Sequence, residues 1–358
     1  MKYYFNQIKE FRNPITLFFL CGVKYNNRQP ELDKRVVLKK YLMEKNCHSI
    51  ILEENFVPRR NGGKLSYSDI YLNNLNDVET LACMIVDGVF IIHESHSTAA
   101  EIALFASNEV IRDRIFILVP DEENSQTRHY SGFLSLAYKN LLPNCIEFIP
   151  AIEKYMINNE KIEIRTYFNE NKIRNNLERK INCAIENTKK INEIKLCKSD
   201  YGKEYLKVSS YYIKGKNIYF FINCKDLRYY IIALFSIKEF RNEVKKNNEF
   251  IEVVILCEKW FREIILNTAQ RNEKFDISNK NIIMRLTDIK SNNIDLRKTI
   301  SFIFYIFHAL NWIEIYLEDG KRKVRLCKKT TNNTGFKYIY DKYSNIILKE
   351  ELINFEGL

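Results

Sequence analysis

Residues 15–21 are apolar in every position except Thr16 and end at Gly22. So continuous a run is predicted as a strand covered on both faces, turning at the glycine. A polar loop over residues 24–30 carries Arg28. Leu32, Val36, Val37, Tyr41 and Leu42 then recur at helical spacing across residues 31–45. Residues 49–52 read as a second strand ending in Glu53 and Glu54. Residues 56–71, with Pro58, Gly62 and Gly63, read as a loop long enough to serve as a lid. Asn76 or Asp77 is expected to cap a helix through Val78, Leu81, Ala82 and Ile85. Residues 89–92 form the expected central strand, followed by the polar segment His93-Glu94-Ser95-His96-Ser97 and a helix from Thr98. Residues 115–119 and 145–149 supply a fourth and a fifth strand, with a helix over residues 133–142 between them.

Strands and helices alternating at this spacing call for a parallel sheet with helices on both faces and right-handed crossovers. The fold class is therefore α/β, a flavodoxin-like doubly wound parallel sheet of order 2-1-3-4-5. Its ligand crevice lies at the carboxyl ends of the strands, beside the first strand's loop. The first domain is expected over residues 1–150 and a helical connector over residues 151–200. A mostly helical, basic C-terminal region follows over residues 201–358. Within it, residues 205–224 read as a hairpin about Gly215, and residues 227–268 as two helices broken near Asn247. Near residues 282–326 a short helix, a turn, a long helix and a two-strand hairpin with an Asp319-Gly320 turn resemble a winged helix-turn-helix domain.

Charge separates the two halves. Residues 1–150 hold 17 Lys and Arg against 18 Asp and Glu, whereas residues 151–358 hold 39 against 27. A near-neutral first half suits a small-molecule enzyme, and a basic second half suits a polyanionic partner. Lys321, Arg322, Lys323, Arg325, Lys328 and Lys329 cluster on the wing-like hairpin. The long helix before it is apolar almost all round, which favours backbone or protein docking over base-specific readout. No apolar run approaches the ~18 residues of a membrane span, and the first residues lack a signal-peptide layout. A cytoplasmic protein without membrane attachment is expected. The 9 cysteines are scattered with no C-x-x-C, and the 5 histidines are dispersed, so neither a disulfide framework nor a metal site is expected.

The candidate chemistry lies after the central strand. Glu94 and Glu101 could act as nucleophile or as acid and base on a sugar carbon. Thr98-x-x-Glu101 also has the spacing of a capping box, in which Glu101 would merely close the helix start. Both readings stand on spacing alone.

Glu94-Ser95-x-x-x-x-Ala100-Glu101-x-x-x-Phe105, after an apolar strand headed by Asp87, resembles the nucleoside 2-deoxyribosyltransferase-like domains, in particular those that serve as toxic effectors of retron anti-phage systems. The resemblance covers about residues 15–150, and more loosely residues 282–326. It implies that Glu101 is the nucleophile of an N-glycosidase and that Glu94 is the upstream acidic residue. It makes Cys21, Gly22, Arg28, Asp87, Ser95 and Ser97 substrate-binding candidates. Where the family is expected to carry a loop glycine, this chain has His96-Ser97. Some retron effectors of this type consume NAD, which implies NAD as substrate with no bound cofactor. A toxic activity of this kind implies control by a reverse transcriptase and its RNA–DNA product (msDNA), the chain being an oligomer within that complex. The leaving groups point the same way: purine departure needs a protonating acid, whereas nicotinamide leaves NAD already cationic, and the loop offers no clearly placed acid besides His93 and His96. Two other readings are a nucleoside deoxyribosyltransferase or salvage glycosidase, and a nucleotide-sensing, nucleic-acid-binding regulator without catalysis.

Overall fold

The computed structural model describes residues 2–7, 15–23, 33–57, 65–70, 72, 74–120, 141, 144–148, 151–157, 159–166, 168, 172–190, 193–200, 205, 207–273, 280–287, 289, 294–327 and 353–356. Arg28, Lys328, Lys329 and most of the helix expected over residues 133–142 lie outside them. The chain forms two compact units that interleave in sequence. One comprises residues 15–55 and 82–191, the other residues 1–14, 56–81 and 192–358. The sequence division at residue 150 matches neither.

The first unit is built on five parallel strands: β1 (Leu17–Cys21), β2 (His48–Ile50), β3 (Gly88–Ile92), β4 (Ile115–Pro120) and β5 (Cys145–Phe148). Their order in the sheet is β2-β1-β3-β4-β5, with every pairing parallel, as the strand–helix alternation required. All residues of β1 and β3 are buried, which is why these strands read as continuous apolar runs rather than alternating ones. Phe18, Phe90 and Phe116 stand side by side on three adjacent strands, with ring centroids 5.0 and 5.3 Å apart. Gly88 makes this possible, because a Cβ there would lie 2.6 Å from the Phe18 ring.

Helix α1 (Lys34–Glu44) contributes Leu38 and Leu42 to the same core. It starts later than the apolar spacing suggests, because the Asp33 side chain accepts the Arg35 N–H and caps it. Helix α2 (Leu75–Ile85) precedes β3, and its cap is Asn74, whose side chain accepts the Asp77 N–H, rather than Asn76 or Asp77. Helix α3 (His96–Ala106) follows β3 and buries Thr98, Ile102, Phe105 and Ala106. Past Ile50 the chain turns into a short helix, Leu52–Asn55, instead of continuing as strand. The expected connector differs more. Strands β6 (Ala151–Ile157) and β7 (Glu160–Thr166) form an antiparallel hairpin, and α4 (Asn175–Lys189) packs Leu177, Ile181 and Ile185 into the sheet's core. Sparse apolar residues at helical spacing are enough to make α4 part of this unit.

The second unit centres on a mixed sheet of β8 (Leu196–Lys198), β9 (Ser209–Lys214), β10 (Asn217–Ile222) and β11 (Asn281–Leu286), in that order. The expected hairpin is β9–β10, turned at Gly215 with φ +55°. Three helices, α5 (Cys224–Leu234), α6 (Lys238–Lys246) and α7 (Phe250–Glu273), stand where the pattern predicts two; the break near Asn247 is present, and a second falls at Phe235. Residues of the expected lid form two-residue strands, Phe56–Val57 and Leu65–Ser66, and a turn of 3-10 helix, Tyr67–Ile70. Strand Lys2–Phe5 pairs antiparallel with Ile353–Glu356.

The winged-helix expectation is corrected in two respects. Its first helix is the strand β11, held in parallel register along β10, because Ile282 to Leu286 match β10 residue for residue. The long helix α8 (Leu296–Ala309) buries every residue from Thr299 to Phe307, so no face remains to enter a groove. Strands β12 (Ile313–Glu318) and β13 (Lys321–Leu326) form the predicted hairpin about Asp319-Gly320. Among the described residues of this region, strands β9–β13 accompany the helices, so it is mixed α/β.

Candidate active site at the carboxyl end of the parallel sheet

β1 and β3 are adjacent and parallel, so the loops that leave their carboxyl ends emerge at the same edge of the sheet. Cys21 is the buried last residue of β1. Gly22 comes next, and a Cβ at Gly22 would lie 3.0 Å from Cγ and Cδ of Arg35. The glycine therefore leaves room for the arginine stem. Arg35 is 2% exposed; its Nε and Nη2 donate to the two oxygens of Asp33 at 3.1 and 2.9 Å, and its Nη1 donates to Glu53 at 2.9 Å. Burial works against its charge, but the two carboxylates more than offset it and hold the guanidinium ionised. Nothing in the sequence pattern signals this pair, since arginine is rarely buried.

Glu94 leaves β3 two residues past its end. It is solvent-exposed, yet the density of protein around its carboxyl is high enough for desolvation to dominate. With Lys34 and Arg35 pulling down and Asp33 pushing up, the carboxyl is pushed up to about 7. Asp33, Lys34 and Arg35 all act on Glu94, which places the start of α1 near the β3–α3 loop. His93 is held below the usual histidine range by burial and by neighbouring His96.

Helix α3 begins two residues before Thr98. Ser95 Oγ accepts the Thr98 N–H at 3.3 Å, and Thr98 Oγ1 accepts the Ser95 and Glu94 N–H groups at 3.0 and 3.3 Å while donating to the Ser95 carbonyl at 2.8 Å. The capping box is thus Ser95/Thr98, and the alternative in which Glu101 closes it is overturned. The loop leaves β3 early enough for a serine to take the cap one turn upstream. Ser97 Oγ lies 2.8 Å from Ser95 Oγ. Glu101 stands in the second turn, half-buried, with its Oε2 buried. Asp87 belongs elsewhere. It sits at the amino end of β3, where its Oδ2 accepts the Leu17 N–H at 2.9 Å and its own N–H donates to the Leu17 carbonyl at 2.9 Å. It ties β1 to β3 at the end opposite the crevice, which removes it from the substrate-binding candidates there. Among the described residues no group of three potential ligands could hold a metal.

The hairpin β12–β13 directs its positive charge inside its own unit. Lys321 pairs with Glu249 at 2.5 Å, Arg322 with Asp69 at 2.6 Å, Lys323 with Glu318 at 2.5 Å and Arg325 with Glu314 at 2.6 Å. The expectation of a basic docking wing is corrected to this extent: the four described cations each face a carboxylate.

A parallel α/β unit with a perturbed carboxyl at the end of a central strand has the form of a ligand-binding or catalytic unit. The family model for the STM3845 retron effector protein matches residues 31–261, well over half of the chain, and the chain belongs to that family. No curated protein gives a match to it. Membership makes it a retron effector, associated with a retron anti-phage system of reverse transcriptase and msDNA. Among the described residues no helix is long and apolar enough to cross a membrane.

Proposed function

We propose that this effector is an N-glycosidase working from the β3–α3 loop, with Glu101 as nucleophile and Glu94 as the group that meets the ribose or the departing base. The observation that carries this reading is Glu94, a carboxyl pushed up to about 7 at the carboxyl end of a central parallel strand. Assignment of the helix cap to Ser95 and Thr98 supports it, since Glu101 is left with no capping task. In the proposed reaction a Glu101 carboxylate oxygen bonds to the anomeric carbon as the bond to the base nitrogen breaks, its electron pair leaving with the base. Water then attacks the anomeric carbon, frees the glutamate and releases a proton.

NAD is the proposed substrate, giving nicotinamide and ADP-ribose. Nicotinamide takes the electron pair on its cationic nitrogen and needs no proton, so Glu94 would be required as a carboxylate to hold ribose hydroxyls. A second reading rests on the same residue. Protonated Glu94 would be the acid that purine departure demands, which favours base release from a purine nucleoside or nucleotide. The pH dependence separates the two. NAD cleavage should rise as pH passes upward through about 7, and purine release should fall over the same range. Incubating the protein with NAD and with nucleosides and nucleotides between about pH 6 and 8, and following nicotinamide and free bases by chromatography, checks this. Purine release with NAD untouched would overturn the NAD assignment; neither product would overturn the glycosidase.

Membership of a retron effector family supports a further part of the proposal, that a reverse transcriptase with its RNA–DNA product holds the enzyme inactive. Activity unchanged by adding that complex would overturn it.

A further inference from the structure

One face of the β8–β11 sheet is occupied by the unit's core, through Tyr211, Ile218, Phe220 and Ile222, all buried. The alternate residues point the other way. There Tyr212 lies directly opposite Tyr219, Phe221 is diagonal to Tyr212, and Ile283 and Arg285 continue the two rows onto β11. The rings form a column of near-parallel planes. Tyr212 and Tyr219 have centroids 4.8 Å apart at 16°, and Tyr212 and Phe221 5.8 Å apart at 26°. All three rings are half-buried, while Lys214 and Arg285 at the two ends of the face are exposed. Beside the rings runs a row of amides, Asn281 Nδ2 donating to Asn217 Oδ1 at 3.2 Å and Asn217 Nδ2 to the Tyr219 hydroxyl at 3.4 Å.

Among the described outward-facing positions of β9, β10 and β11 the charged residues are Lys214 and Arg285, both cations. This differs from the hairpin β12–β13, where carboxylates are interleaved. An aromatic column flanked by cations alone matches a polymer of planar bases on a phosphate backbone.

We propose that the outer face of the β8–β11 sheet binds single-stranded nucleic acid, with bases extending the Tyr212–Tyr219–Phe221 column and phosphates held by Lys214 and Arg285. A duplex keeps its bases stacked on one another and offers the rings nothing, hence a preference for single strands. The proposal is independent of the glycosidase reading, because its readout is binding alone.

The test uses the full-length protein and a fluorescently labelled single strand of about twelve nucleotides, followed by anisotropy, with the same sequence as a duplex for comparison. The expected result is tighter binding of the single strand, weakening as salt rises with the shallower slope of single-stranded ligands. Tyr219→Leu should weaken binding about tenfold, and Tyr219→Phe, which keeps the ring, should bind as the wild type does. Arg285→Glu, at an exposed position, should weaken binding as well and guards against a misfolded leucine variant. Equal binding of single strand and duplex, no binding of the single strand, or Tyr219→Leu and Arg285→Glu proteins that bind as tightly as wild type would each overturn the proposal and leave the column as cross-strand packing only.

Discussion

The β3–α3 loop and the β12–β13 hairpin both come after apolar stretches and both carry conspicuous charge, but they treat it in opposite ways. On the hairpin, the four described cations each face a carboxylate in direct contact, so their charge is largely cancelled. At the loop, Arg35 is fully committed to Asp33 and Glu53, while Glu94 stands in their field without a hydrogen-bonded cation of its own among the described residues, and desolvation lifts its carboxyl to about 7. Charge density along a sequence therefore says little about where charge is available. The deciding factor is whether the fold brings the opposite sign within reach, and a functional carboxyl is one for which it does not do so completely.

Substitutions can break or sharpen this comparison. Replacing Glu101 by Gln should lower turnover by about a thousandfold or more, because the amide is no nucleophile, with the melting temperature nearly unchanged since the helix cap lies at Ser95 and Thr98. Wild-type turnover in that variant would remove Glu101 from the chemistry. Next in size, Arg35→Met should destabilise the fold by about 3–5 kcal/mol in denaturant titration, since it leaves Asp33, whose side chain is 4% exposed, without its cation. A loss below about 1 kcal/mol would mean that the pair is not held as described. Arg322→Ala should cost about 1–3 kcal/mol. Its partner Asp69 is 1% exposed, and although burial would raise that carboxyl, bonds from Ser66 and the Arg322 charge hold it below its ordinary range. A carboxyl depressed in the folded state adds stability that is present above its unfolded pKa and is lost as pH falls through the folded value, so acid should narrow the gap between Arg322→Ala and wild type. The smallest effect belongs to Arg325→Ala, where both partners are exposed, and what stability change there is should fade with salt. Equal costs for Arg322→Ala and Arg325→Ala would contradict the ranking by burial.

Periodicity locates the parallel sheet well because strands buried on both faces must be apolar throughout, and the order β2-β1-β3-β4-β5 agrees with alternation and short connections. It fails where a pattern admits two structures. Residues 282–286 suit either a helix or a strand, and only pairing along β10 decides for strand. Ser95, Thr98 and Glu101 admit two capping arrangements, and only the point where β3 ends decides between them. Asp87 lies near Glu94 in sequence, which suggests a shared crevice, but the length of β3 separates them across the sheet.

By itself, then, the sequence determined the five-stranded parallel sheet and the loop after its central strand that carries Glu94 and Glu101, because hydrophobic burial imposes a period that can be read along the chain. Tertiary structure alone decided which charges are cancelled, how the Glu94 carboxyl is shifted, and which alternate face of β9–β11 gathers Tyr212, Tyr219, Phe221 and Arg285. Electrostatic and stacking interactions act between residues distant in the chain and fall off over a few ångströms, so no local pattern encodes them.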